Sequence, residues 1–60
     1  MKIEYKGFIL SLCKRTALDG MNWFCIVNET NNRKVVAKFK LKRNAVWHLQ
    51  NFEKYPIFPL

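Results

Sequence analysis

Residues 33–43 read Arg-Lys-Val-Val-Ala-Lys-Phe-Lys-Leu-Lys-Arg. Extended, this run sends Lys34, Lys38, Lys40 and Lys42 to one side and Val35, Ala37, Phe39 and Leu41 to the other. Side chains two apart on a strand stand roughly 6.6 Å from each other, a spacing comparable with that of phosphates along a nucleic-acid strand. The alternation therefore describes both a strand with one apolar face and a lysine stripe suited to a polyanion. An ordinary solvated face has the same pattern.

Working back from that run, Asn31-Asn32 is expected to form a two-residue turn, because Asn tolerates the positive φ of type I′ geometry. Such a turn pairs residues 33–42 with a strand over 22–29. It places Glu29 opposite Lys34, Val27 opposite Val36, Cys25 opposite Lys38 and Trp23 opposite Lys40. Phe24 then faces Phe39 and Ile26 faces Ala37 on the other side, which becomes the core side. Further back, Asp19-Gly20 marks a turn, and residues 3–15 are rich in β-formers. Gly7 interrupts their alternation: Ile3 and Tyr5 share one parity, whereas Phe8, Leu10 and Leu12 share the other. Either a bulge in one long strand or a tight Lys6-Gly7 turn lets both sets reach one core.

Working forward, the period changes at Asn44. Asn44 is a candidate N-cap, with Ala45, Val46, Leu49 and Phe52 at helical spacing and His48 and Asn51 on the polar side. Pro56 limits the helix to about 44–54. The tail 55–60 is apolar and is expected to pack on its own helix–sheet seam or on another subunit. The expected fold is α+β: a single domain over 1–60 with a three-stranded antiparallel meander, with or without a short leading hairpin, and one C-terminal helix. A small SH3-like or chromo-type barrel with a C-terminal helix is the alternative. The expected core comprises Phe8, Leu10, Leu12, Phe24, Ile26, Val35, Phe39, Leu41, Val46, Leu49 and Phe52.

Sixty residues with 50% hydrophobic content support one small aromatic core. Eleven Lys and Arg against four Asp and Glu leave a net charge of +7, whose self-repulsion an anionic partner would relieve. Cys13 and Cys25 make too few thiols for a disulfide framework. With no leader pattern and no apolar run of membrane-spanning length, the expectation is a cytoplasmic protein with reduced, buried thiols and no membrane partner.

Catalysis has little to stand on, and no enzyme activity is expected. His48 is the only histidine, the four acids are scattered, and no spacing fixes Cys13 or Cys25 beside His48. Two Cys and one His fall short of a structural zinc set, and no phosphate loop is present, so no metal and no cofactor is implied. What remains is basic and aromatic interleaving. The candidate binding residues are Lys14, Arg15, Trp23, Lys34, Lys38, Lys40, Lys42 and Arg43. Their cations would neutralise phosphates while Trp23 stacks on a base or ribose.

The order strand–strand–strand–helix with an exposed basic sheet broadly resembles small sheet-reading DNA-binding domains such as the arm-type domains of phage integrases. With a Lys-Gly leading hairpin it also resembles archaeal Sul7-type chromatin proteins and chromodomains. These resemblances are architectural and assign no residue. The expected partner is nucleic acid, DNA ahead of RNA. The rival is an acidic protein bound by a small module or inhibitor of the accessory kind common in mobile elements. An exposed Trp is also a favoured residue at protein interfaces. Either reading is compatible with a homodimer formed through a sheet edge or the C-terminal tail.

Overall fold

A computed structural model describes residues 1–56. Its elements are β1 (Lys2–Tyr5), β2 (Phe8–Thr16), β3 (Asn22–Asn28), a 3₁₀ turn (Glu29–Asn31), β4 (Lys34–Phe39) and α1 (Lys42–Gln50). The strands form one antiparallel sheet in the order β1-β2-β3-β4, an open meander with β1 and β4 at its edges. Among the described residues the class is α+β, with four strands in place of a three-stranded meander and no barrel closure.

The extra strand comes from the tight turn at Lys6-Gly7. Both residues have positive φ, 49° and 84°, as a two-residue type I′ hairpin requires. Tyr5 then faces Phe8 and Ile3 faces Leu10. The parity break at Gly7 thereby brings both apolar sets to one side, and the alternative of a single bulged strand is excluded.

The second hairpin closes around Asp19-Gly20. The Ala17 amide donates to Met21 O at 2.8 Å, Asp19 Oδ1 accepts from the Met21 amide at 3.0 Å, and Gly20 has φ 85°. Cys13 consequently lies directly opposite Cys25, and Arg15 opposite Trp23.

The third connection departs from the expected Asn-Asn turn. Asn28 Oδ1 accepts from the Thr30 amide at 3.1 Å and caps the 3₁₀ turn. Asn32 and Arg33, not Asn31 and Asn32, carry the left-handed conformation. Two long-range bonds hold this segment over β2: Ser11 Oγ donates to Glu29 Oε1 at 2.6 Å, and the Ile9 amide donates to Thr30 Oγ1 at 3.0 Å. These partners lie far away in sequence, so no local turn propensity announces them.

The longer loop shifts the register part-way along. Phe24–Phe39, Cys25–Lys38 and Ile26–Ala37 pair as expected. A bulge between Ile26 and Val27 then sets Val27 against Val35 and Asn28 against Lys34. The extra residue, Val36, packs on the core, while Val35 moves to the opposite face. The expected pairs Val27–Val36 and Glu29–Lys34 are not formed, and Arg33 forms the ion pair with Glu29, Nε–Oε1 3.4 Å.

α1 packs on the sheet face that carries Leu10 and Ile26. Ala45, Leu49 and Phe52 are buried at i, i+4 and i+7 spacing, and the Phe52 ring meets Tyr5 edge-on at 5.1 Å. Ile3, Leu12, Val36 and Phe39 complete the cluster. The helix begins earlier than the Asn44 cap implies. Leu41, in extended conformation, occupies the cap position, and its carbonyl accepts from the Asn44 and Ala45 amides. Leu41 is 45% exposed and so leaves the expected core. At the other end, Asn51 Nδ2 donates to Trp47 O at 2.8 Å, and single turns continue to Tyr55 in place of regular helix. The expectation that the apolar tail packs down falls, for 57–60, outside the described residues.

Candidate nucleic-acid interface

Register determines which side chains share the face opposite α1, where Ser11, Cys25 and Val27 are buried. β2 contributes Ser11, Cys13 and Arg15, β3 contributes Trp23, Cys25 and Val27, and β4 contributes Val35 and Lys38. At the end near the β2–β3 turn these residues enclose an open recess of about 210 Å³ lined by Arg15, Thr16, Ala17, Trp23, Cys25, Val35 and Lys38. Lys40 follows β4, and its Nζ lies 5.9 Å from the centre of the Trp23 ring, a cation–π distance. One half-buried indole therefore has a cation directly across the hairpin, one at the recess wall and one over its ring.

Cys25 forms part of the recess floor. Burial pushes its thiol pKa up, while Arg15 and Lys38 pull it down and Cys13 adds a smaller upward push. At the opposite end of this face the charge is mixed. Glu29 takes the Ser11 hydroxyl bond and lies beside Arg33, whose Nη2 also reaches Cys13 Sγ at 3.6 Å. The Ser11 bond is the largest influence holding the Glu29 carboxyl below its ordinary value, with Arg33 and Lys2 acting in the same sense against the effect of burial. Cationic character is therefore concentrated at the Trp23 end.

The structure brings together four of the eight expected binding residues: Arg15, Trp23, Lys38 and Lys40. It separates the rest. Lys14 pairs with Phe24, and Lys34 with Asn28, so both stand on the parity of the helix-covered face, at its exposed margins. Lys42 and Arg43 form the first turn of α1. The lysine stripe read over 34–42 is thus not continuous. The bulge turns Lys34 away, and the strand ends at Phe39 before Lys42 is reached. The recess itself has no signature in the sequence, because Val35 reaches that face only through the bulge.

His48 is not the solvent-facing group its helical position suggests. Its ring stacks on Phe39 at 4.8 Å between centroids and meets Trp47 edge-on at 5.0 Å. Trp47 in turn stacks on Tyr55 at 5.7 Å, and both are about half exposed. Among the described residues, no three His, Cys, Asp or Glu side chains gather closely enough to hold a metal ion. No helix among them is long and apolar enough to cross a membrane.

Comparison with protein-family models, with curated proteins and with solved structures returns no match. The architectural resemblances to sheet-reading DNA-binding domains rest on element order alone.

Proposed function

We propose that the protein binds nucleic acid without catalysis, DNA ahead of RNA, through the helix-free face of its sheet. The observation that carries this reading is the grouping of Arg15, Lys38 and Lys40 around Trp23 beside an open recess. Cations on a β-face can neutralise backbone phosphates, and the indole offers a stacking surface to a base, which contributes about 1–3 kcal/mol per base in single-strand readers. The net charge of +7 supplies long-range attraction.

Salt titration of binding to duplex DNA, single-stranded DNA and RNA tests the reading. Neutralising three phosphates on duplex DNA gives a log–log slope of about −2.7. A protein that binds none of the three polymers at low salt does not have this function.

The second reading, docking on an acidic protein, is favoured by a different observation. Leu18 at the tip of the β2–β3 hairpin is fully exposed, and Met21 beside it is about half exposed. Capture of a stoichiometric protein partner that survives nuclease treatment supports it. Among the described residues β1 and β4 form the sheet edges, which suit self-association, and a molar mass that stays monomeric across concentration in light scattering counts against a dimer.

A further inference from the structure

Cys13 and Cys25 are the two nucleophilic side chains that the proposed function does not use. They are free, directly opposed on adjacent strands, and share the sheet face opposite α1. Cys13 is half-buried and Cys25 is 1% exposed, lining the recess. Their separation follows from the hairpin. The Ala17–Met21 bond closes a hydrogen-bonded pair, and such pairs recur every second residue, so Cys13 and Cys25 form one as well. Side chains at these pairs stand wider apart than at the intervening ones, with Cβ atoms toward the upper end of about 4.5–5.5 Å. A disulfide draws Cβ atoms to about 3.5–4.5 Å, shorter than the relaxed spacing of this rung. A bridging atom held by two metal–sulfur bonds of about 2.3 Å each fits the wider gap.

We propose that Cys13 and Cys25 form a two-coordinate binding site for a soft d10 cation of the Cu(I) class. The ligand count selects the metal. Two thiolates with no third His, Cys, Asp or Glu nearby among the described residues do not satisfy a tetrahedral ion such as Zn(II) or an oxygen-seeking ion such as Mg(II). Soft monovalent ions favour sulfur and accept two ligands. The exchange balances in protons and charge: two thiols and one monovalent cation give a bis-thiolate complex of charge −1 and two released protons. Cations stand around the pair: Arg33 Nη2 lies 3.6 Å from Cys13 Sγ, and Arg15 and Lys38 line the recess with Cys25. Their charges offset the negative charge of the complex, against the cost of holding it where Cys25 is buried. The site stands independently of the nucleic-acid reading, although it shares Arg15 and Lys38 with it.

Titration of the reduced full chain with Ag(I), and with Cu(I) in the presence of a competing chromophoric chelator, tests the proposal by native mass spectrometry and thiol counting. One ion per monomer with loss of both reactive thiols is expected. Cys13→Ser and Cys25→Ser should each lower the affinity about 100-fold or more, because each removes the second arm of a chelate. The half-buried Cys13 variant carries the test if the buried Cys25 variant fails to fold by circular dichroism. Two ions per chain, one ion shared between two chains, or Cys13→Ser with unchanged affinity would each overturn the site. Nucleic-acid binding by the double serine variant is measured separately, and its loss or retention does not bear on the metal result.

Discussion

Arg15 stands directly opposite Trp23 across the β2–β3 hairpin, on the face that α1 leaves uncovered. Lys14, its neighbour in sequence, stands opposite Phe24 on the other parity. Two adjacent cations with equal charge thus occupy different surfaces, which permits a charge-matched comparison. Arg15→Glu with Lys38→Glu should abolish nucleic-acid binding at moderate salt. Lys14→Glu with Lys34→Glu makes the same change in net charge and should only weaken it. The salt slope on duplex DNA should flatten by about 0.9 for each phosphate that is no longer neutralised, in the first pair of variants alone. Equal losses in both pairs would mean that net charge, and not this face, governs binding.

Acid should loosen the 3₁₀ turn before the rest of the protein. The Glu29 carboxyl is held below its ordinary value of 4.5, first by the Ser11 hydroxyl bond and then by Arg33 and Lys2. A lowered folded-state pKa means that the unfolded chain takes up the proton first as pH falls. The stabilisation is therefore complete above the ordinary glutamate range and is lost as pH drops through the lower, folded-state value. Thermal unfolding followed from neutral pH to about pH 3 should show this decline. Ser11→Ala should make that part of the curve shallower, and an unchanged profile would remove Ser11 as its cause.

Much of this architecture is legible because it depends on local pattern. The Asp19-Gly20 turn, the Phe24–Phe39 and Ile26–Ala37 pairs and the helical spacing of Ala45, Leu49 and Phe52 all follow from residue type and period. The Lys6-Gly7 turn is visible as a parity break, although the same break also permits a bulge. What escapes is set by interactions across the sheet. Ser11 and Ile9 hold Glu29 and Thr30 over β2, the loop lengthens, and the bulge at Val36 turns Lys34 and Val35 over. An alternating sequence specifies its faces only as far as its first bulge. The candidate site is therefore half legible: Trp23, Lys38 and Lys40 follow from the expected register, whereas the recess and the exclusion of Lys34 do not.

The leading hairpin carries a removable strain. Lys6 sits at φ 49°, a left-handed conformation that L side chains other than Asn and Asp adopt at a cost of roughly 1–2 kcal/mol. Lys6→Asn restores the preferred Asn-Gly pair and should stabilise the protein by up to about 1 kcal/mol in urea unfolding. Gly7→Ala should act in the opposite direction by about 1–2 kcal/mol. A Cβ at Gly7 meets no atom within 4 Å, so that loss would come from backbone conformation and not from a clash.

The start of α1 opposes its own dipole. Lys42 and Arg43 occupy the first turn, no acid accompanies them, and Leu41 provides no side-chain cap. Cations at a helix N-terminus are unfavourable by about 0.3–1 kcal/mol each, and a missing cap forgoes about 1 kcal/mol. Leu41→Asp should therefore raise stability by about 1 kcal/mol, since Leu41 is half exposed and gives up little packing. Lys42→Glu should add a few tenths more. Urea midpoints for these variants check the stability gain, and DNA titrations on the same samples separate two roles for the charge. If Lys42 serves only long-range attraction, Lys42→Glu reduces affinity at low salt and the difference vanishes as salt rises. If the phosphate backbone runs from the Trp23 recess past Lys40 onto the helix start, the same substitution also lowers the salt slope by about 0.9.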